Sequence, residues 1–402
     1  MLPSRLFPME ALLLLHFLLL WAWLETSKKT KKYCYTQRVS TVKKTIIITG
    51  THLTPALELI RQLKNDNKID WQINYIGRKN NSSVDNTPSI ESRIIPKINI
   101  KFYSINCGKL DRRWLLNTIK GLPQTTKSLF ESLKLIKKIK PDIVVSFGGY
   151  VSVPIIIGSF LKKIPSITHE QTLTNSLTTK INSFFVNKVA LSFNNQNQIK
   201  NLPKNKIIIT GNLLRQEIFQ PQKSKMGDNL KKIKNPIIYI TAGNQGSHII
   251  NLLIKKILPE LKKYFIIHQT GKNDFSDFKK LEKKHPNYQA FDYLEANDVG
   301  HIFNNADLII SRSGANTSQE IIALNQKSIL IPLKVSQQNE QLLNALWVKE
   351  KNPKNTEIIE EKDINKKNIL KKINKLIIIK TKKVAIKNTD NLKLLNLIHE
   401  IL

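Results

Sequence analysis

The chain has 402 residues, of which 41% are hydrophobic and 23% are charged. This length predicts two domains rather than a single small binding module, and the composition excludes a disordered, collagen-like or polytopic membrane protein. The 64 basic and 30 acidic side chains give a net charge of +34, which indicates either an anionic partner such as nucleic acid or a membrane, or an AT-rich coding bias that places Lys on solvated faces. Cys34 and Cys107 form no CxxC motif, so neither a disulfide framework nor a structural zinc site is indicated, and a reducing cytoplasm fits.

The first apolar segment runs from Ala11 to Leu24 and is followed by the Lys28–Lys32 cluster. It is short for a spanning helix and has no small-residue cleavage site after it. Two interpretations of residues 1–44 stay open. One is a membrane anchor, for which the positive-inside rule keeps the rest of the chain cytoplasmic, and the other is a start-site extension with no role in the fold.

After Lys44, short β-branched runs alternate with amphipathic stretches, which predicts βαβ units around parallel sheets. Nearly all of the predicted strands are apolar throughout, as expected when helices cover both faces of a sheet. The predicted strands are Thr45–Ile48, Ile143–Ser146, Ser166–Thr168, Lys206–Thr210, Ile237–Thr241, Tyr264–Gln269, Leu308–Ser311 and Ser328–Pro332. The polar, Lys-rich stretch 220–236 is predicted to link two domains, 45–219 and 237–402, with the last helix a candidate to return to the first domain.

The turns after these strands are the first candidates for a site, because ligands bind beyond the carboxyl ends of parallel strands. Thr49-Gly50-Thr51-His52 precedes Thr54 and Pro55, which are predicted to cap and begin a helix. In the second half, Ala242–Ser247 repeats the arrangement, with Ser247 as the predicted cap. The free N–H groups of either helix could face a diphosphate, although either turn could be an ordinary connection.

Several polar residues at strand ends suit transfer chemistry. His52 and His169 are candidate acid–base groups, and Glu320 could accept a hydrogen bond from a ribose diol. No Asp-x-Asp occurs in the sequence. Helix ends and cations, rather than Mg²⁺, would therefore neutralise a nucleotide-sugar diphosphate, and no metal or cofactor is expected.

Ordered motifs from residue 45 to the C-terminus resemble the MurG family of N-acetylglucosaminyltransferases, in glycosyltransferase family 28, which complete the lipid-linked peptidoglycan precursor. The motifs are Phe147-Gly148-Gly149-Tyr150-Val151-Ser152, Thr168-His169-Glu170-Gln171, Gly211-Asn212-x-x-Arg215, Gly243-x-Gln245-Gly246, His268-Gln269-Thr270-Gly271, Ser311-Arg312-x-Gly314-Ala315-x-Thr317-x-x-Glu320 and Gln341-x-x-Asn344-Ala345. The resemblance implies a GT-B fold of two Rossmann-like domains facing a cleft, with the acceptor on the N-terminal side and UDP-N-acetylglucosamine mostly on the C-terminal side.

The resemblance also implies roles for individual residues. The catalytic base would be His52, with His169 or Glu170 as alternates. The acceptor pocket would be lined by these three residues together with Tyr150 and Thr172. The donor would be held by Thr49, Gly50, Thr51, Arg215, Asn244, Ala296, Ala315, Asn316, Thr317, Ser318, Gln319, Glu320 and Gln341.

We therefore expect an inverting, metal-independent enzyme of cell-wall synthesis, with roles in cell shape and division. It would transfer N-acetylglucosamine to undecaprenyl-diphosphate-N-acetylmuramoyl-pentapeptide at the cytoplasmic membrane face. The alternatives are another lipid acceptor, or an inactive basic homologue that associates with membrane or RNA; no nucleic-acid partner is expected on the first reading. Aromatic and basic residues interleaved over Arg112–Lys140 predict docking on anionic lipid, although Leu129, Leu133, Ile136 and Ile139 have helical spacing and could simply pack on the sheet.

Overall fold

A computed structural model of the chain describes residues 42–80, 88–107, 115–243, 245–334, 339–380 and 391–402. The apolar segment 11–24, Arg112 to Trp114 and Asn244 lie outside the described residues. Within the described ranges, none of the helices combines the length and the apolar character needed to cross a membrane. The chain forms two compact units: residues up to Glu170 with Asn175–Gly211 and Leu392–Leu402, and Gln171–Thr174 with Asn212–Asn391.

The first unit contains a seven-stranded parallel sheet in the order β3-β2-β1-β4-β5-β6-β7. Its strands are β1 (Lys43–Gly50), β2 (Asp70–Gly77), β3 (Lys101–Ser104), β4 (Ile143–Phe147), β5 (Ser166–Glu170), β6 (Lys188–Leu191) and β7 (Ile207–Ile209). Its helices are α1 (Leu53–Lys64), α2 (Ile90–Lys97), α3 (Leu115–Ile139), α4 (Ser152–Leu161), α5 (Leu177–Phe185) and α6 (Gln196–Ile199).

The second unit contains a six-stranded parallel sheet in the order β10-β9-β8-β11-β12-β13. Its strands are β8 (Ile237–Thr241), β9 (Phe265–Gln269), β10 (Tyr288–Phe291), β11 (Leu308–Ser311), β12 (Ser328–Leu330) and β13 (Thr356–Ile358). Its helices are α7 (Lys225–Leu230), α8 (His248–Ile257), α9 (Phe275–Lys279), α10 (Ala296–Asn305), α11 (Ala315–Ala323), α12 (Glu340–Lys351) and α13 (Lys366–Ile377). The last helix, α14 (Lys393–Ile401), belongs to the first unit.

Apolar burial explains the central strands. Ile46, Ile47 and Ile48 of β1 are fully buried, and α1 covers the sheet with Ala56, Leu59, Ile60 and Leu63, which recur at helical spacing. Each Ile or Leu buried in this way contributes about 1.5–3 kcal/mol. The eight predicted strands all lie at observed strands. The strands β2, β3, β6, β10 and β13 were not predicted, because each of them mixes polar with apolar residues.

The predicted linker is wrong, because residues 220–236 are part of the second unit. Residues 225–230 form α7, and Met226, Leu230 and Ile233 pack into the core of that unit. The backbone N–H of Gln222 donates to Asn297 Oδ1 at 2.6 Å, and its carbonyl oxygen lies 2.7 Å from His301 Nε2. The Lys residues that suggested a solvated linker lie on the outer side of this segment, opposite Met226, Leu230 and Ile233.

Helix α14 is held in the first unit by a three-residue cluster. Asp66 Oδ2 accepts a hydrogen bond from Trp71 Nε1 and lies beside His399 Nε2, both at 2.7 Å, and the Trp71 and His399 rings stack with centroids 6.4 Å apart. The C-terminus of the chain therefore packs beside α1, although more than three hundred residues separate Asp66 from His399 in sequence.

Candidate active site

The turn after β1 lies at the carboxyl edge of the first sheet and leads directly into α1. The helix begins at Leu53 with His52 at the N-cap, so Thr54 is not the cap and Pro55 is not the first helical residue. The N–H of Thr51 donates to the carbonyl of Gly148 at 3.2 Å, which ties this turn to the turn after β4 and places the helix start earlier than the sequence suggested. Tyr75 Oη donates to the Gly50 carbonyl at 2.9 Å, which fixes the turn from β2.

Thr51 fills the space directly above Gly149. A Cβ at Gly149 would overlap the Thr51 side chain, and the φ of +79° at Gly149 is itself in the left-handed region. Glycine is therefore required here both by the backbone and by the close approach of Thr51. Thr49, two residues before Thr51, is fully buried, and its Oγ1 has no hydrogen-bond partner among the described residues.

His52 is partly buried, and its ring lies against the turn after β4. The two are so close that a Cβ added at Gly148 would lie 3.3 Å from His52 Cδ2. Burial lowers the pKa of His52 from 6.5; Glu170 opposes this effect and Arg78 adds to it. The imidazole is consequently neutral at physiological pH, the form that can accept a proton.

The two alternate bases carry structural hydrogen bonds. His169 is buried at the end of β5, and its Nε2 must be the protonated nitrogen because it lies 3.0 Å from the Gly211 carbonyl, which can only accept. Burial lowers the pKa of His169 to about 4, although the bond to Gly211 opposes this shift. Glu170 Oε2 accepts from the Ser176 N–H at 3.1 Å and from Thr179 Oγ1 at 2.6 Å, at the N-terminus of α5. Among the described residues, His52 makes no comparable side-chain hydrogen bond, so it is the most available base of the three.

Two residues of this cluster were missed by the sequence reading. Arg78 follows β2, and its Nε donates to the fully buried Glu91 at 2.9 Å. Arg78 also hydrogen-bonds Tyr150; burial raises the pKa of Tyr150 while Arg78 opposes the rise. The sequence feature that could have identified Arg78 is its position directly after β2, but β2 was not predicted.

In the second unit, the turn after β8 leads into α8 with Ser247 at the N-cap. Ser247 was expected to cap this helix, but its side chain makes no capping bond. Its Oγ instead accepts a hydrogen bond from Arg312 Nη2 at 2.9 Å. The first-turn N–H groups of α8 are thus not capped by this side chain. Arg312 is a further residue that the sequence reading left out of the site.

Arg215 and Glu320 pair with each other, with Arg215 Nε 2.7 Å from Glu320 Oε1. Glu320 is fully buried on α11, and Asn316, in the first turn of the same helix, accepts from Asn212 Nδ2 at 2.8 Å. The segment 212–215 therefore docks on the N-terminal half of α11. Ala315, Thr317, Ser318 and Gln319 lie on that same helix.

Gln341 is held near this helix by hydrogen bonds to neighbouring turns. Its backbone carbonyl accepts from Ser313 Oγ at 2.6 Å, and its side-chain Oε1 accepts from the Leu333 N–H at 3.1 Å. Ala296 is the first residue of α10, after Glu295 at the N-cap. Thr172, which was expected to line the acceptor pocket, is buried among the Gln171–Thr174 residues of the second unit, where its Oγ1 donates to the Thr174 carbonyl at 2.6 Å.

The predicted residues thus form two groups, one in each unit. Thr49, Gly50, Thr51, His52, Tyr150, His169 and Glu170 lie at the carboxyl ends of the neighbouring strands β1, β4 and β5. Arg215, Gln341 and residues 315–320 gather around the turn after β11. The described part of the chain holds no group of three or more His, Cys, Asp or Glu residues that could bind a metal ion.

Two parallel α/β units with helix N-termini and polar side chains at the carboxyl ends of their strands are the architecture of GT-B glycosyltransferases. The sequence matches the glycosyltransferase family 28 N-terminal domain over residues 45–191 and the C-terminal domain over residues 237–399, and the chain belongs to this family. The family and fold class predicted from the strand-end motifs are confirmed.

Two relatives from Clostridium species carry the same name. A protein of Clostridium tetani named UDP-N-acetylglucosamine--N-acetylmuramyl-(pentapeptide) pyrophosphoryl-undecaprenol N-acetylglucosamine transferase is 36% identical over 90% of this chain and 97% of its own length. The protein of the same name from Clostridium novyi is also 36% identical, over 89% of this chain and 96% of its own length.

Solved structures share the fold at lower identity. Acinetobacter baumannii MurG has a TM-score of 0.58 and 22% identity, covering 83% of this chain and 92% of that one. The UDP-GlcNAc 2-epimerase of Methanocaldococcus jannaschii has a TM-score of 0.59 and 16% identity, covering 89% of this chain and all (100%) of that one. At these identities the structural likeness reports the fold, and the sequence match assigns the family.

Proposed function

We propose that this chain transfers N-acetylglucosamine from UDP-N-acetylglucosamine to undecaprenyl-diphosphate-N-acetylmuramoyl-pentapeptide, with inversion and without a metal ion. The observation that carries the proposal is the 36% identity to the Clostridium tetani transferase over 97% of that protein. The uncommitted imidazole of His52 in the first unit and the paired Arg215 and Glu320 in the second supply chemistry that suits the reaction. The product serves peptidoglycan synthesis, and through it cell shape and division.

His52 is the base of this proposal. The acceptor hydroxyl oxygen forms a bond to the anomeric carbon of the donor, the bond from that carbon to the UDP oxygen breaks, and the hydroxyl proton moves to the imidazole of His52. A neutral imidazole is needed, and burial favours that form by lowering the pKa of His52. Tyr150 and Arg78, which hydrogen-bond each other, are the acceptor-side partners of His52 in this proposal, while the hydrogen bonds of His169 and Glu170 support the fold.

The leaving UDP carries negative charge, which the second unit is suited to stabilise. The N-termini of α8 and α11 direct backbone N–H groups toward the turns after β8 and β11. In this proposal Arg215 supplies a cation and Glu320 accepts a hydrogen bond from the ribose. Ala296 would contact the uracil and Gln341 the donor sugar; Asn244, outside the described residues, would contribute to diphosphate binding.

Attachment to the membrane is peripheral and cytoplasmic in this proposal, through the α3–α4 surface of the first unit. Phe130 on α3 is 43% exposed and Phe160 on α4 is 42% exposed, among the exposed Lys127, Lys134 and Lys163. Leu129 and Ile136 of α3 are buried, so that face packs on the protein while Phe130 faces outward. Exposed aromatic rings with surrounding cations favour an anionic lipid surface, and the polyprenyl tail of the acceptor lies in the bilayer beneath that surface.

The test is release of UDP by the full-length protein, measured with and without the lipid-linked muramyl-pentapeptide in detergent, each with EDTA or with Mg²⁺. The proposal predicts release that requires the acceptor and persists in EDTA. If UDP release requires a different polyprenyl-diphosphate sugar, that molecule is the acceptor. Loss of UDP-sugar binding on chelation would reject the metal-independent mechanism. An absence of both turnover and binding of UDP-N-acetylglucosamine would indicate the inactive homologue.

A further inference from the structure

One buried cation joins three segments of the second unit. Arg312, directly after β11, donates from Nη2 to Ser247 Oγ at 2.9 Å and from Nη1 to the Ile331 carbonyl at 3.1 Å. Ser247 ends the turn before α8, and Ile331 follows β12. The side chain of Arg312 is only 10% exposed, so these contacts are made away from bulk water.

The charge of Arg312 is balanced by Glu361, which begins a short 3₁₀ helix after β13. The Nη2 atom lies 2.6 Å from Glu361 Oε1, and Glu361 Oε2 accepts a hydrogen bond from the Lys334 N–H at 3.3 Å. A buried guanidinium without a counter-ion would be strongly unfavourable, so Glu361 stabilises the Arg312 side chain in its buried position. The carboxylate thereby connects the loop after β12 to the turn after β8.

We propose that Glu361, acting through Arg312, is a positioning residue for the diphosphate of the nucleotide sugar. This inference rests on the proposed function. Ser247 does not cap its own helix, so the conformation of the first turn of α8 is set from outside by Arg312. Loss of the Glu361 charge releases Arg312 from Ser247, and the backbone N–H groups that face the phosphates lose their fixed arrangement.

The test measures the affinity of variant full-length proteins for UDP and for uridine by competition calorimetry. The variants are Glu361→Gln, Glu361→Ala and Arg312→Lys. Uridine lacks the phosphates. A defect confined to the turn after β8 should therefore weaken the binding of UDP by about tenfold, equivalent to about 1.4 kcal/mol, while the affinity for uridine changes less than about twofold. The KM for UDP-N-acetylglucosamine rises correspondingly, and the KM for the acceptor does not change.

Lys327→Met is the matched control, because Lys327 is another buried cation of the second unit whose Nζ donates to the Ile377 and Ile379 carbonyls, both at 3.1 Å, at the end of α13. It should lower Tm without altering the ratio of UDP to uridine affinity. The inference is overturned if the Glu361 and Arg312 variants retain UDP affinity, bind UDP more tightly, or lose UDP and uridine equally. If Glu361→Ala fails to fold, the Gln and Lys variants decide. A wild-type protein that binds no UDP would instead reject the proposed function.

Discussion

Arg215 and Glu320 form a two-point ion pair inside the second unit. Arg215 Nε donates to Glu320 Oε1 at 2.7 Å and Nη2 donates to Oε2 at 3.3 Å, with the carboxylate fully buried. Burial disfavours the charge on Arg215, but Glu320 more than offsets this and raises the pKa of the guanidinium. Both side chains are predicted from the sequence to hold the donor, with Glu320 accepting a hydrogen bond from its ribose. Since they bind each other, a change at either position also changes the other.

We expect Arg215→Ala to lower both stability and donor affinity. It leaves the buried Glu320 unpaired, which costs about 3–5 kcal/mol of unfolding free energy. Loss of a hydrogen bond to a charged ligand weakens UDP-N-acetylglucosamine binding by about tenfold to a hundredfold. Urea denaturation and calorimetry in EDTA measure the two effects.

Two further variants separate the pair from its function. Arg215→Ala with Glu320→Gln should recover part of the stability but not the affinity, because the buried charge is gone while the ligand contacts are still missing. Lys375→Ala breaks an ion pair with Glu357 in which the Lys375 side chain is 61% exposed, and should cost less than about 1 kcal/mol. Unchanged stability in Arg215→Ala would show that the pair contributes nothing to the fold.

His52→Ala should reduce kcat by about 10²–10⁴ with little change in donor affinity, because a positioned base acts on the acceptor hydroxyl. The base must be neutral, and burial lowers the pKa of His52 below 6.5. The acidic limb of the pH profile of kcat/KM in the wild-type enzyme should therefore lie below pH 6.5, with activity rising as pH increases, and should disappear in the variant. His169→Gln, by contrast, should mainly lower Tm, since it removes the bond to Gly211. A limb that survives in His52→Ala would assign the base elsewhere.

Gly314 offers a test of ligand approach. Its φ is −65°, and no described residue lies within 4 Å of the position that a Cβ would occupy, so the described fold does not require glycine there. A phosphate close to the N-terminus of α11 would require it. At this N-cap position Ala is less favourable than Gly but restricts the unfolded chain more, so Gly314→Ala should change Tm little. It should weaken UDP binding by about tenfold, equivalent to about 1.4 kcal/mol. Normal UDP affinity in this variant would place the diphosphate away from α11. Gly149→Ala is the contrasting variant, because it should destabilise the first unit by forcing Thr51 to move.

Phe130→Ser with Phe160→Ser in the full-length protein should reduce sedimentation with anionic liposomes, since both rings are exposed on the first unit. Binding should fall further as salt screens the neighbouring Lys residues. Ile378→Ser is the matched control, because this side chain is 78% exposed at the end of α13. Equal sedimentation of all three proteins would show that α3 and α4 do not carry the attachment, and a version starting at Lys43 would then test the segment 11–24.

The sequence predicted β1, β4, β5 and β7 of the first sheet and β8, β9, β11 and β12 of the second, because these strands are short, mostly apolar and β-branched. It missed β2, β3 and β6 of the first sheet and β10 and β13, the two edge strands of the second, because each of these strands mixes polar with apolar residues. It also misread residues 220–236, where Lys conceals an apolar stripe that includes Met226 and Leu230. The periodicity of three apolar residues in a basic stretch was too weak a signal to predict α7.

The positions of the candidate site residues after strands followed from the sequence, but their partners did not. Arg215 and Glu320 are 105 residues apart, and no spacing rule relates them. Arg312 was visible as a strand-end residue, yet its hydrogen bond to Ser247 and its ion pair with Glu361 depend on the packing of three segments. Partner choice is set by tertiary packing, and for this reason Ser247, which has the residue type and position of a helix cap, is used instead to hold Arg312.

The most direct test of the central claim is the identity of the product formed from UDP-N-acetylglucosamine and the lipid-linked muramyl-pentapeptide by the full-length protein in EDTA, determined by mass spectrometry and NMR. We predict a lipid heavier by one N-acetylhexosamine, whose new anomeric centre is β, with one UDP released per lipid product. A free or UDP-linked epimer with the lipid unchanged, or an α-linked product, would contradict the assignment of this chain as the inverting transferase.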